Sequence, residues 1–430
     1  MVAVEAAEQV VPPVPEHVDE TGLSASLIEQ LILKALYFRG EVTGRDLAGG
    51  VGLKYSVIEE TIENLKRQHL ISVKRSLGIG NKSAVFALAD AGRTLAREYL
   101  EINQYNGPAP VPLYQYTAVV RRQRHPDSWL TPEALARAYR HMVVTPRILG
   151  QIGPAVNSGK SFLIYGQPGN GKTALAEALF RIEDTPIYIP YAIEYQGNIV
   201  QVFDPIYHQP IDEDEGELSA LINEPTYDRR WFRSKRPFII TGGELTLDML
   251  DLSYNESSKV YDAPFQIKAN NGIYLIDDFG RQRATPAEVL NRWIVPMERH
   301  VDYLSFRSGG KMTVPFEAFL IFSTNLSPDQ LGDEAFLRRI QYKMMLDNPG
   351  EAEYRDIFMK FAAARDFRCD PAVLDAFVEL RYRQAGRPMR RCHPRDVISH
   401  AIDLINFERL QYALTVEVLN RAWESCFAEG

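Results

Sequence analysis

Residues 166–173 read Gly-Gln-Pro-Gly-Asn-Gly-Lys-Thr, a complete G-x-x-x-x-G-K-[ST] run. No other stretch limits the fold so tightly. Glycines at these positions let backbone N–H groups turn inward around a phosphate chain. Lys172 can then reach the β- and γ-phosphates, and the Thr173 hydroxyl can bind Mg²⁺. The flanks agree. Ser161–Tyr165 is a short apolar strand pattern. Ala174–Phe180 is a helix pattern whose N-terminus would face the phosphates. The candidate nucleotide set is therefore Gly166, Gln167, Pro168, Gly169, Asn170, Gly171, Lys172, Thr173 and Ala174.

A second element completes such a loop. Ile273–Ile276 is an apolar strand pattern followed by Asp277 and Asp278. Asp277 would hold Mg²⁺ through water, and Asp278 would orient or deprotonate the attacking water. Read alone, the same residues are an ordinary strand and a polar turn. Phe319–Thr324 is another apolar strand pattern, ending at Asn325, whose amide could place water between the carboxylates and the γ-phosphate. Arg338 and Arg339 follow at a predicted helix end, where an arginine could reach a neighbouring subunit's γ-phosphate. Surface arginines in local ion pairs are the plainer reading. His393-Pro394-Arg395-Asp396 opens a later helix, and Arg395 could contact the nucleotide from there.

This order of parts resembles the AAA+ ATPases, over about Trp129 to Gly430. The resemblance implies Walker A at Lys172 and Thr173, Walker B at Asp277 and Asp278, and sensor 1 at Asn325. It also implies an arginine finger at Arg338 or Arg339, sensor 2 at Arg395, ATP and Mg²⁺ as cofactors, and a homo-oligomeric ring, usually a hexamer. Two departures stand out. Walker B ends in Asp-Asp where Asp-Glu is usual, so the second carboxylate is one methylene shorter. Replication initiators and helicase loaders of the family share that ending. The lid arginine sits in His-Pro-Arg-Asp, not in the commoner Gly-Ala-Arg.

Two insertions are legible. Val301–Ser305 and Lys311–Phe316 alternate around Gly309-Gly310, a hairpin signal. Its place resembles the presensor-1 hairpin of one large AAA+ branch. The GAFTGA loop of the sigma-54 activators in that branch is absent. Ile187–Tyr195 and Ile199–Phe203 flank Gln196-Gly197-Asn198 as a second hairpin pattern. There Tyr195 and Gly197 occupy the place of a substrate-gripping pore loop, or Tyr195 packs underneath. Asp212–Glu217 is acidic and Arg229–Arg236 is basic. They read as solvated faces or as charges paired across a ring interface.

The front of the chain differs. Residues 1–21 carry acids and prolines without Lys or Arg, a flexible acidic tail. Within residues 22–101 the pattern gives three helices, at Leu23 onward, Thr43–Ala48 and Ser56–His69. Two strands follow, Leu70–Lys74 and Ala84–Leu88, joined by the turn-rich Gly78–Lys82, and a helix at Asp90–Leu100. This resembles a winged helix–turn–helix. Residues 102–128 have a proline-rich linker composition. The region 129–347 alternates helices and strands as an α/β core, and 348–430 is an α-helical lid. The expected lid helices are Glu351–Ala364, Pro371–Gln384, Pro394–Phe407 and Val416–Cys426.

Composition narrows the partners. The net charge of −8 argues against a polybasic nucleic-acid coat. Residues 22–101 hold eleven basic and nine acidic residues, a small surplus for phosphate binding. The presumed recognition helix carries Lys54, Lys66 and Arg67, but also Glu59, Glu60 and Glu63. Protein contact is expected before DNA contact. Three unpaired cysteines and no long apolar run point to a cytoplasmic chain without a membrane span or secretory signal. The expectation is an ATP-hydrolysing ring machine that remodels a protein or nucleoprotein partner. The alternatives are an ATP-switched DNA-binding regulator and a nucleotide-binding scaffold with little turnover.

Overall fold

The computed structural model describes residues 10–76, 81–126, 129–182, 185–211, 226–331 and 337–427. The fold is α/β, built around a five-stranded parallel sheet. We label its strands β1 (Phe162–Tyr165), β2 (Phe238–Thr241), β3 (Ile273–Ile276), β4 (Phe319–Thr324) and β5 (Tyr342–Met345). They lie in the order β2-β3-β4-β1-β5, all parallel. All six residues of β4 are buried, which explains its unbroken apolar run. One layer packs Leu175, Ile152 and Leu135 on one face of the sheet. The other face carries Trp293, Leu290 and Phe279. Helix Pro286–Arg299 holds that second layer and starts with a capping box between Thr285 and Glu288.

In the front block the second helix starts at Gly44, and Val42–Thr43 is a short strand that the pattern does not predict. Ser24 caps helix Ala25–Arg39 by accepting from the Leu27 N–H, and Thr43 caps Gly44–Val51 by accepting from Asp46. Helix Tyr55–Arg67 buries Val57, Ile58, Ile62 and Leu65. A three-stranded antiparallel sheet joins Val42–Thr43, Ala84–Leu88 and Ile71–Ser76. Helix Asp90–Ile102 packs behind them. Residues 77–80 of the predicted turn lie outside the described residues.

Residues 103–126, from a stretch with the composition of a linker, fold into the body of the protein. Val111–Pro112 is an edge strand paired in parallel with Ala192–Tyr195. Helix Leu113–Arg122 follows, with Tyr116, Val119 and Val120 buried at helical spacing. The strands Asn198–Gln201, Val260–Asp262 and Ser253–Asn255 extend the same mixed sheet. The front block rests on it, since Ala192, Ile199 and Val260 belong to the front core. Val10 packs against the inserted core, and Thr21 is buried in a segment whose composition reads as tail.

The basic run Arg229–Arg236 is no uniform solvated face. Arg230 is 1% exposed, and Trp231 and Phe232 are buried beside it. Its guanidinium pairs with Asp228 at 2.8 Å, donates to the Thr21 carbonyl at 2.8 Å and reaches Gln115 at 3.1 Å. A buried charge survives only with such a set of partners. The acidic run Asp212–Glu217 lies outside the described residues.

The hairpin at Val301–Ser305 and Lys311–Pro315 is present, in register from Val301↔Pro315 to Ser305↔Lys311. Its turn buries Phe306, on which Tyr195 stacks with ring centroids 6.1 Å apart. The C-terminal helices Glu351–Ala363, Pro371–Val378, His393–Glu408 and Val416–Cys426 close on Phe358, Phe377 and Trp423. Among the described residues, no helix is long and apolar enough to cross a membrane.

Candidate active site

Residues 166–171 leave the C-terminal end of β1 and enter helix Lys172–Ala178. Two glycines here are sterically required. Gly166 has φ 142°, and a Cβ there would stand 2.4 Å from the Leu346 carbonyl oxygen. Gly169 has φ 81°, and its Cβ would stand 2.7 Å from the Cys392 sulfur. Any larger residue at either position would push the loop off its neighbours.

Lys172 is 7% exposed, and its ammonium donates to three oxygens. These are the carbonyls of Gly166 at 3.0 Å and Gln167 at 3.1 Å, and Asn325 Oδ1 at 2.6 Å. Burial pulls the ammonium below the ordinary lysine pKa, and Asp277 and Asp278 act against that pull. The Thr173 hydroxyl donates to Asp277 Oδ2 at 2.8 Å. Asn325 Nδ2 donates to Asp278 Oδ1 at 3.2 Å. The Asn325 amide therefore links the lysine to the second carboxylate.

The strand order makes this link possible. β4 lies between β1 and β3, so its end places Asn325 between the loop and the carboxylates. The Asp277 N–H donates to the Thr241 carbonyl at 2.7 Å, and Phe279 N–H to the Ser323 carbonyl at 2.7 Å. Between them Asp278 takes a left-handed φ of 47°. Aspartate tolerates that region better than most residues, and such outliers gather at functional positions.

A cavity of about 970 Å³ opens over this constellation. Pro168, Gly169, Asn170, Gly171, Lys172, Thr173 and Ala174 line it, together with Asp277, Asp278 and Asn325. Gly166 and Gln167 do not line it, and their carbonyls accept from the lysine. Arg395 also borders the cavity, but its side chain is 64% exposed and pairs with Asp396 at 2.8 Å. Arg338 and Arg339 do not border it. Arg338 is exposed, and Arg339 donates to Glu298 at 2.9 Å.

Several cavity residues escape the motif reading. Arg281, three positions after Asp278, is exposed and borders the cavity. Arg391 borders it from the C-terminal helices, held by Glu353 at 2.9 Å and by the Asp347 carbonyl. The Cys392 N–H donates to the Gly169 carbonyl at 2.9 Å, and Arg390 donates to the Pro168 carbonyl at 3.2 Å. The run Arg390-Arg391-Cys392 directly precedes the His-Pro-Arg-Asp motif, and this adjacency was its one visible signal. Asn170 is fully buried and donates to Asn348 Oδ1 at 2.8 Å. Nothing in the local pattern marks Asn348.

The model of a domain of unknown function, DUF8689, matches residues 350–425, the helical C-terminal part. No curated protein matches the chain. Among solved structures, NtrX from Brucella abortus matches with 12% identity and a TM-score of 0.37, over 77% of this chain and 61% of that one. NtrX in complex with ADP matches with 13% identity and a TM-score of 0.38, over 76% and 59%. A Thermotoga maritima RuvB mutant matches with 14% identity and a TM-score of 0.35, over 70% and 73%. The chain spans about three fifths of the length of the NtrX chains it matches.

Proposed function

We propose that the chain is an ATP-hydrolysing machine of the AAA+ type that works as a homo-oligomeric ring and remodels a protein or nucleoprotein partner. One observation carries this reading. Lys172, Thr173, Asp277, Asp278 and Asn325 come from three separate strand ends and form one hydrogen-bonded constellation facing one cavity.

The residues fit ATP and Mg²⁺. Thr173 and Asp277 offer two oxygen donors side by side, the type of ligand that Mg²⁺ takes. The cavity is at the large end of the range for small-ligand sites. Bound ATP with Mg²⁺ would supply the phosphoanhydride bond to be cut. Lys172 would exchange its carbonyl partners for phosphate oxygens. Asp278 would take the proton of the attacking water, and Asn325 would keep that carboxylate aimed. Arg395 would leave Asp396 to meet the phosphates. Arg338 and Arg339 lie off their own cavity, so a catalytic role for either is one toward a neighbouring copy. The Asp278→Asn chain tests the reading: it should bind ATP and hydrolyse it slowly. Turnover at the unmutated rate would remove Asp278 from the mechanism.

We read the helices and hairpin of the front block as a winged helix and assign it to protein contact. The outward side of helix Tyr55–Arg67 shows Glu59 and Glu60, while Lys66 is paired with Glu63 at 2.9 Å and Lys54 with Glu16 at 2.5 Å. The exposed Lys74, Arg75 and Lys82 of the hairpin favour the second reading, a DNA-binding regulator switched by ATP. The full chain should bind duplex DNA no tighter than about 10⁻⁵ M at physiological salt, the non-specific range. Sub-micromolar binding weakened by Lys74→Ala and Arg75→Ala would reverse the order of the two readings.

A further inference from the structure

The opposite end of the parallel sheet holds a second cavity, of about 440 Å³, that shares no lining residue with the first. It is bordered by the starts of β3 and β4, at Ile273 and Phe319. Those strands run some 15–20 Å from there to Asp277 and Asn325. The two cavities are thus separate sites.

Glu317, two residues before β4, borders this cavity with its side chain 8% exposed. Its nearest basic groups are His300 Nδ1 at 3.7 Å and Arg124 Nε at 3.9 Å, both beyond hydrogen-bond distance. Among the described residues its carboxylate accepts no hydrogen bond. Ion-pair partners at 3.7 and 3.9 Å leave its oxygens room for a donor at hydrogen-bond distance. Burial raises its pKa, against the pull of His300, Arg124 and Arg121.

The rest of the wall is specific. The Trp129 and His125 rings stack with centroids 3.8 Å apart and planes within 4°, and both border the cavity. Phe180 adds another aromatic wall. Arg181 and Lys235 are exposed and stand at the mouth. A flat ring, donors for a carboxylate and an anionic tail are the complement of this set.

We propose that this cavity binds a guanine nucleotide, with the base against the Trp129–His125 pair, its N1–H and 2-amino group donating to Glu317, and its phosphates at Arg181 and Lys235. Guanine offers two adjacent donors on that edge, matching the two oxygens of one carboxylate. Adenine offers one donor beside an acceptor, which would face a carboxylate oxygen. The site is independent of the ATP reading.

The test uses the full chain with Lys172→Ala, so that the phosphate loop does not report. Trp231, Trp293 and Trp423 are 2%, 0% and 1% exposed, which leaves Trp129 as the accessible fluorophore. GDP should quench tryptophan fluorescence saturably. Inosine diphosphate, which lacks the 2-amino group, should bind about tenfold more weakly, the size expected for one lost hydrogen bond. ADP should be weaker still. Glu317→Gln should erase the preference for GDP, and Arg181→Ala with Lys235→Ala should weaken all three. No saturable GDP binding at millimolar concentration, equal affinity for GDP and ADP, or a preference that survives Glu317→Gln would each overturn the proposal. If Glu317→Gln does not fold, the comparison of GDP with inosine diphosphate on the unmutated cavity decides alone.

Discussion

At the C-terminal ends of β1, β3 and β4, the charged groups of Lys172, Asp277 and Asp278 each meet a partner from another strand end or loop. Lys172 has three oxygens, Asp277 has the Thr173 hydroxyl, and Asp278 has the Asn325 amide. At the other end of the same strands, Glu317 faces a cavity of mixed aromatic and basic lining, and among the described residues its ion-pair partners stand at 3.7 and 3.9 Å. The contrast separates two ways of preparing a site. One end is preorganised by internal hydrogen bonds that a ligand must replace. The other holds an acid whose hydrogen-bonding capacity is left for a ligand to fill. Substitutions at one end should therefore leave the other end's binding unchanged.

The largest expected effect tests whether the preorganised end is complete within one chain. If an arginine acts across a ring interface, Arg338→Ala or Arg339→Ala should lower hydrolysis by roughly 10³–10⁵, the range of known arginine fingers. Mixing that chain with the Lys172→Ala chain should partly restore turnover, because one interface regains a full set. Co-assembled mixtures that stay inactive for both arginines would mean the site is not shared.

Next in size is Asp278→Asn. Removing a general base costs about 10²–10⁴ in rate, and ATP affinity should hold within a few fold. A matching loss of affinity would show that Asp278 binds rather than activates. Lys172→Ala should weaken ATP binding by about 10²-fold, since charge-assisted hydrogen bonds contribute roughly 1.5–3 kcal/mol each. GDP binding at the far cavity should be untouched, and joint loss would erase the distinction between the ends.

The smallest effect lies in the C-terminal helices beside the preorganised end. His393 is buried, and its Nδ1 lies 3.0 Å from the Tyr382 hydroxyl, which donates to Tyr354 at 2.9 Å. Burial first, then Arg390 and Arg387, pull its pKa from 6.5 to about 4, while Asp396 acts the other way. The unfolded chain therefore binds more protons than the folded one between those values. Stability should be full above pH 6.5 and fall as the pH drops toward 4. His393→Gln should flatten that slope in denaturant melts followed by tryptophan emission. An unchanged slope would assign the acid sensitivity elsewhere.

The preorganised end was legible because its chemistry is local. A loop motif and two strand ends announce Lys172, Thr173, Asp277, Asp278 and Asn325, and packing only has to align them. Arg391 and Asn348 were hidden because they reach the loop from distant elements. Residues 103–126 resist a local reading for a different reason. Their prolines dominate composition, while Tyr116, Val119 and Val120 hold the i, i+3, i+4 spacing of a buried helix. Arg230 was read as surface because charge is usually exposed, and only the fold reveals Asp228, Thr21 and Gln115 around it. Pairing of Val111 with Ile193 spans a sequence distance that no local pattern encodes.

The contacts of Cys392 and Arg390 have a mechanical consequence. Both donate to carbonyls of the phosphate loop itself, at Gly169 and Pro168. The C-terminal helices are therefore tied to the loop's main chain, apart from the side chains they lend to the cavity wall. Were the loop to tighten or relax, its two acceptors would shift, and the helix that starts at His393 would be drawn along or let go. Information would leave the site as a change in the path of the main chain, and a load applied to the distal helices would travel back by the same two bonds to alter how readily the loop opens.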